Sequence, residues 1–167
     1  TRGKEVVKLA NGLSGVFLLE PSGKSDTLLV WLHGGPYRQT SLFYHPYMSY
    51  GGYDWVLEKV RDADVGVLKL DYPGSYGYGR TFAESLIGKV GVKDVTDSHV
   101  AITDFAKRNG YKNVYLMGNS YGGYLAPKLL VDKPKSYKGA FAINGVMDWT
   151  TMLTALDTSI FNVLFKG

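Results

Sequence analysis

The chain has no cysteine, which excludes disulfides, thiolate metal sites and a cysteine nucleophile together. Cysteine usage does not fix the compartment, although a cytoplasmic location is favoured. No apolar run approaches the roughly 18 residues of a membrane-spanning helix, so no membrane partner is expected. No Asn-x-Ser/Thr glycosylation pattern occurs. Lysines and arginines are scattered singly and sum to a mild net charge of +4, which gives no support to nucleic-acid binding. Histidine is scarce too: there are three, His33, His45 and His99. Repeats and low-complexity segments are absent, and 167 residues suffice for one domain with a sizeable core.

What is present alternates. Residues 5–10 and 15–20 read as strands joined at Asn11–Gly12, a hairpin signal. "TLLVWL" (27–32) and "VGVLKLDY" (65–72) are short continuous apolar runs, as in strands buried on both faces. "NVYLMG" (113–118) and "GAFAING" (139–145) are two more. Helical spacing appears around 54–61, over 92–108 with Val95, Ile102, Phe105 and Ala106 on one face, over 121–131, and from Trp149 onward. "PGSYGYGR" reads as a loop, and its glycines are spaced wrongly for a dinucleotide fingerprint. Strands alternating with helices imply an α/β fold, a mostly parallel sheet with helices on both faces and an antiparallel edge from the leading hairpin.

One serine stands out. In "GNSYGGYLA", Ser120 falls where a strand ends and a helix begins, with glycines two residues to either side. A sharp strand-to-helix turn needs those glycines, and it exposes the hydroxyl beside unpaired helix N–H groups. On the pentapeptide alone, Ser120 reads equally well as a helix N-cap. A second element decides for chemistry: "HGGP" (33–36) follows another buried strand. A tetrahedral intermediate requires two donors, here the backbone N–H of Tyr121 and that of Gly35, where the missing Cβ admits a carbonyl oxygen. Tyr44 and Tyr47, with Tyr121, suggest an aromatic substrate pocket.

With "WLHGGP", "DYPGSYGYGR", "DVTD" and "GNSYGGYLA" in this order and spacing, the chain resembles the catalytic domain of the prolyl oligopeptidase family, in particular its acylaminoacyl-peptidase-like branch. "GAFAINGVMDW" resembles that family's next strand and loop, whereas Pro73 stands where the family usually carries arginine. The resemblance implies an α/β-hydrolase fold and hydrolysis of peptide or acyl-peptide substrates through an acyl-enzyme on Ser120, without a cofactor. An esterase of the same fold, or a non-catalytic fragment or pseudo-enzyme serving as a binding module, are the alternatives.

A serine nucleophile needs a base and an acid, which in this fold follow it in the chain. No histidine follows Ser120. His33 is expected to brace the loop that it begins, His45 to line a surface or pocket, and His99 to pack on a helix. Asp148, after a core strand, could be the acid but better suits a helix N-cap. The resemblance places acid and base further on, so residues 1–167 are expected to be the N-terminal two-thirds of a catalytic domain, inactive alone. Association with a second copy or with the missing part is expected from the apolar "SIFNVLFKG". Arg80 is expected to pair with Asp94 at the start of the following helix.

Overall fold

A computed structural model describes residues 3–43, 45, 47–155 and 159–165. Six strands form one sheet in the order β1-β2-β4-β3-β5-β6. Strands β1 (Lys4–Lys8) and β2 (Ser14–Leu18) form an antiparallel pair. They are linked not by a two-residue turn but by a 3₁₀ turn over Ala10–Gly12, with Asn11 at φ 56°. β2 runs antiparallel to β4 (Gly66–Asp71); β4, β3 (Thr27–Leu32), β5 (Asn113–Asn119) and β6 (Gly139–Ile143) are mutually parallel where they pair. The expected α/β architecture with an antiparallel edge is therefore what forms.

The apolar runs make these strands because alternate residues find partners on both faces. On one face Leu28, Val30, Leu32, Leu68, Leu70 and Leu116 meet α3 (Lys93–Arg108) and α4 (Tyr121–Asp132) through Ile102, Phe105, Leu125 and Leu129, all buried. On the other face Leu29, Trp31 and Val67 meet α1 (Met48–Asp62) around Leu57. The remaining helices, α2 (Arg80–Glu84), α5 (Trp149–Ala155) and α6 (Ser159–Phe165), are short.

Three elements depart from expectation. α1 begins at Met48, earlier than residue 54, and includes Gly51 and Gly52, where an added Cβ would touch nothing. Two helical glycines cost about 1 kcal/mol each relative to alanine, yet the flanking Tyr50 and Tyr53 are anchored below. β6 stops at Ile143, since Asn144 takes φ 48°. The "PGSYGYGR" segment gives way to α2 at Arg80.

Candidate active site

The parallel strands β3 and β5 are neighbours, so the segments leaving their C-terminal ends emerge side by side. Ser120 leaves β5 with φ 54° and ψ −113°, a conformation that L-residues adopt only when surrounding structure imposes it. It occupies the N-cap position of α4 but makes no side-chain capping bond, so the N-cap role does not account for it. Its backbone N–H is fixed to the Ile143 carbonyl at 2.9 Å and its carbonyl accepts from Tyr124 N–H at 3.1 Å. Steric need explains the glycines. A Cβ on Gly122 would lie 1.9 Å from the Leu32 carbonyl oxygen, and one on Gly118 would lie 2.1 Å from that of Gly122. α4 can start against the end of β3 only without those side chains.

The loop after β3 lies against this turn: a Cβ on Gly34 would be 2.7 Å from Asn119 Oδ1 and 3.2 Å from the Asn119 carbonyl oxygen. Its donors are divided. Gly34 N–H donates to the Tyr50 hydroxyl at 3.0 Å, whereas the Gly35 N–H, at φ 128°, finds no acceptor among the described residues. The first N–H of α4, on Tyr121, has no intrahelical acceptor either. Among the described residues, then, the Gly35 N–H has no acceptor, and the Tyr121 N–H follows the serine directly in the chain.

Beneath them the loop is held rigidly. His33 is fully buried; its Nδ1 lies 2.7 Å from the Gly34 carbonyl oxygen, its Nε2 2.9 Å from Ser75 Oγ and 3.4 Å from Asp71 Oδ1. The Tyr72 ring stacks on His33 with centroids 4.5 Å apart, and its hydroxyl donates to the His33 carbonyl at 2.6 Å. Asp71 accepts from Thr40 N–H, Thr40 Oγ1 and the Tyr78 hydroxyl at 2.7, 3.0 and 2.5 Å, tying the far end of the loop to β4. Burial and the nearby Asp71 carboxylate push the Tyr78 phenol well above its ordinary value, so it stays a donor. His33 braces the loop, as expected.

The other sequence expectations divide. His45 is buried, with Nε2 3.0 Å from the Gln39 carbonyl oxygen and Nδ1 accepting from Tyr47 N–H; its ring stacks on Tyr50. His99 lies on α3, with Nδ1 2.9 Å from the Tyr137 hydroxyl. No histidine therefore makes a hydrogen bond to Ser120. Asp148 is exposed and caps α5, accepting from Thr150 N–H and Thr151 N–H at 2.9 and 3.3 Å. Tyr47 is exposed and lies under the Arg38 guanidinium, 4.3 Å from ring centroid to guanidinium carbon. Tyr44 lies outside the described residues. Among the described residues, no group of three or more His, Asp or Glu side chains could hold a metal ion, and no helix is long and apolar enough to cross a membrane.

One expectation is overturned. Arg80 does not reach Asp94: it is exposed and pairs with Glu84 one helical turn on, at 2.7 Å. Asp94 instead is buried and accepts from the Tyr121 hydroxyl at 2.6 Å and from Val95 N–H at 3.0 Å. A loop arginine at the start of its own short helix finds its nearest carboxylate locally, while the start of α3 faces inward. The Tyr121 ring stacks on Tyr72 at 5.6 Å and packs against Tyr124 and Trp149. From the sequence, Tyr121 is expected to supply a backbone donor and to join an aromatic substrate pocket; its ring is instead fully buried in this anchor, so the pocket expectation for Tyr121 is corrected. The signal was there in Asp94, an acid heading an amphipathic helix on its apolar side.

A sharp serine turn at the end of a parallel strand, backed by a glycine loop from the adjacent strand, is the arrangement of the α/β hydrolases, and comparison with known proteins narrows the class. Residues 50–165 match the model of the prolyl oligopeptidase family. The chain belongs to the prolyl oligopeptidase family. It is 32% identical over 139 residues to an acylamino-acid-releasing enzyme of Arabidopsis thaliana, an alignment covering 81% of this chain and 17% of that protein. It is also 32% identical over 156 residues to the human acylamino-acid-releasing enzyme, covering 90% and 20% respectively. The structure superposes on an acylaminoacyl peptidase of Pyrococcus horikoshii with a TM-score of 0.82 at 18% identity, over 98% of this chain and 27% of that one. A puromycin-hydrolyzing peptidase of Mycobacterium tuberculosis gives a TM-score of 0.82 at 22% identity, over 98% and 26%. The chain spans about a fifth of the length of the curated relatives it matches.

Proposed function

We propose that residues 1–167 form part of the catalytic domain of a serine peptidase, with Ser120 as nucleophile and the Gly35 and Tyr121 N–H groups as its oxyanion donors. The observation that carries this reading is the strained, non-capping Ser120 at the end of β5, with the glycine loop after β3 packed against the preceding Asn119. In the reaction, Ser120 Oγ attacks the scissile carbonyl carbon while its proton passes to a general base. Negative charge builds on the carbonyl oxygen and is met by the two N–H groups. The C–N bond then breaks, the base returns the proton to the departing amine, and water hydrolyses the acyl-serine by the same route. Base and acid come from sequence outside these residues, because His33, His45 and His99 are all engaged elsewhere.

Peptides or acyl-peptides are the substrates this reading favours, in keeping with the acylamino-acid-releasing relatives; a purely non-catalytic role leaves the strain at Ser120 without a reason. Association with a second copy or with further polypeptide is supported by a partly open apolar cavity of about 830 Å³ bordered by Leu29, Val60, Tyr115, Met117 and the exposed Phe141. The test is labelling by a fluorophosphonate and turnover of acyl-peptide nitroanilides by the complete protein. Both should be lost in Ser120→Ala, by about 10⁴- to 10⁶-fold in turnover, and residues 1–167 alone should behave as poorly. Turnover that survives Ser120→Ala would overturn the assignment.

A further inference from the structure

Arg38 differs from the other described arginines. Arg61, Arg80 and Arg108 each sit within 3 Å of a carboxylate, on Asp62, Glu84 and Asp104. Arg38 has no carboxylate within ion-pairing distance among the described residues, although it is half-buried. Nor is it loose. Its N–H donates to the Pro36 carbonyl at 2.7 Å, and its own carbonyl accepts from Tyr76 N–H at 2.8 Å. The Tyr37 and Tyr76 rings stack beside it with centroids 5.3 Å apart. The guanidinium carbon lies over the Tyr47 ring, 4.3 Å from its centroid, and Nη1 donates to the Tyr37 carbonyl at 2.9 Å. Among the described residues, one of its five N–H donors is thus used, and the edge formed by Nε and Nη2 has no partner there and suits a bidentate acceptor.

Its place in the fold gives this a meaning. A Cβ on Gly35 would lie 3.1 Å from Arg38 Cγ, so the arginine stem runs against the glycine proposed above as an oxyanion donor. Arg38 borders a cavity of about 300 Å³ together with Tyr37, Thr40, His45, Tyr47 and Tyr76. Its positive charge is felt inside the site wall, where it opposes the upward push of burial on the Tyr50 and Tyr72 phenols. A cation that is pinned, aromatic-backed and left without a counter-ion suits an anion that arrives from outside.

We infer that Arg38 is a substrate-recognition residue that binds a carboxylate carried by the substrate one or two residues from the scissile bond. The reach follows from the geometry: an arginine rooted against Gly35 extends about 7 Å, or two extended residues at 3.3–3.6 Å each. Either a free C-terminal carboxylate on the leaving side or a carboxylate on the acyl cap supplies this chemistry, and the enzyme selects short anionic peptides. The inference rests on the placement of Gly35 at the oxyanion under Proposed function.

The experiment compares kcat/KM of the complete protein for paired substrates that differ only in charge: a peptide acid against its C-terminal amide, and a succinyl-capped against an acetyl-capped peptide nitroanilide. Wild type should prefer the anionic member of one pair by about 10- to 100-fold, expressed in KM, as expected for a charged bidentate bond made in ground and transition states alike. Which pair shows the preference identifies the source of the carboxylate. In Arg38→Met the preference should fall to about one, and Arg38→Lys should retain only part of it. No preference in either pair, or a preference that persists in Arg38→Met, would refute the inference. Ser120→Ala distinguishes the two assignments: loss of turnover there together with an unchanged preference in Arg38→Met discards the recognition role alone, whereas turnover surviving Ser120→Ala discards the nucleophile.

Discussion

Replacing Tyr121 by phenylalanine removes one oxygen atom and tests whether the serine turn depends on a buried carboxylate. The Tyr121 hydroxyl is the side-chain donor to Asp94 Oδ2, at 2.6 Å, and both residues are fully buried. Without it, Asp94 keeps only the backbone donors at the start of α3. A hydrogen bond to a charged group contributes about 1.5–3 kcal/mol, and leaving one partner of a buried pair uncompensated costs about 3–5. We therefore expect a loss of about 2–4 kcal/mol near pH 7, or on the order of 10 °C in melting temperature for a domain of this size.

The loss should depend on pH in a definite direction. Burial holds the Asp94 carboxyl above its ordinary value of 3.8, while the Tyr121 hydroxyl and the amides of Gly91, Asp94 and Val95 pull it back down. Between the unfolded and folded pKa values the folded protein keeps a proton that the unfolded chain has released. This group's contribution to stability is therefore greatest below the unfolded pKa and declines as pH rises through the folded one. Tyr121→Phe removes one of the opposing influences and extends that window upward. The deficit of the variant should be largest at pH 7 and shrink, as pH falls towards 4, to about the 1 kcal/mol of a neutral bond. Urea denaturation of wild type and variant across pH 4–8 measures it. A deficit that is the same at every pH, or below about 0.5 kcal/mol at pH 7, would show that the Tyr121 hydroxyl does not pull the Asp94 carboxyl downward.

Two further substitutions bracket the architecture. Gly122→Ala should prevent native folding or cost more than about 4 kcal/mol, since its methyl would meet the Leu32 carbonyl oxygen at 1.9 Å; circular dichroism and urea melts report this, and a variant as stable as wild type would contradict the close approach. Arg80→Ala should change stability by no more than about 0.5 kcal/mol, because its pair with Glu84 is exposed and within one helix; a loss above 1 kcal/mol would restore a tertiary role for this arginine.

Much of this protein was legible in one dimension. Apolar runs such as 27–32 and 113–118 must be buried on both faces, so they announce strands in a helix-covered sheet, and β3 forms over the run expected for it. The glycines around Ser120 could be read as a demand for close backbone approach, which the contacts of Gly118 and Gly122 bear out. Such features are legible because they depend on neighbours a few residues away. What the sequence did not determine is which distant groups meet. Asp94 pairs with Tyr121 rather than Arg80, and His33 with Ser75 and Asp71, because the strand order brings the ends of β3, β4 and β5 and the start of α3 together. Arg38 was one scattered cation among many until the fold laid it on Tyr47 beside Gly35, with no acid in range among the described residues. Local propensity and periodicity act along the chain, whereas a charge takes its meaning from what tertiary packing sets within a few ångströms of it, and that only the folded structure decides.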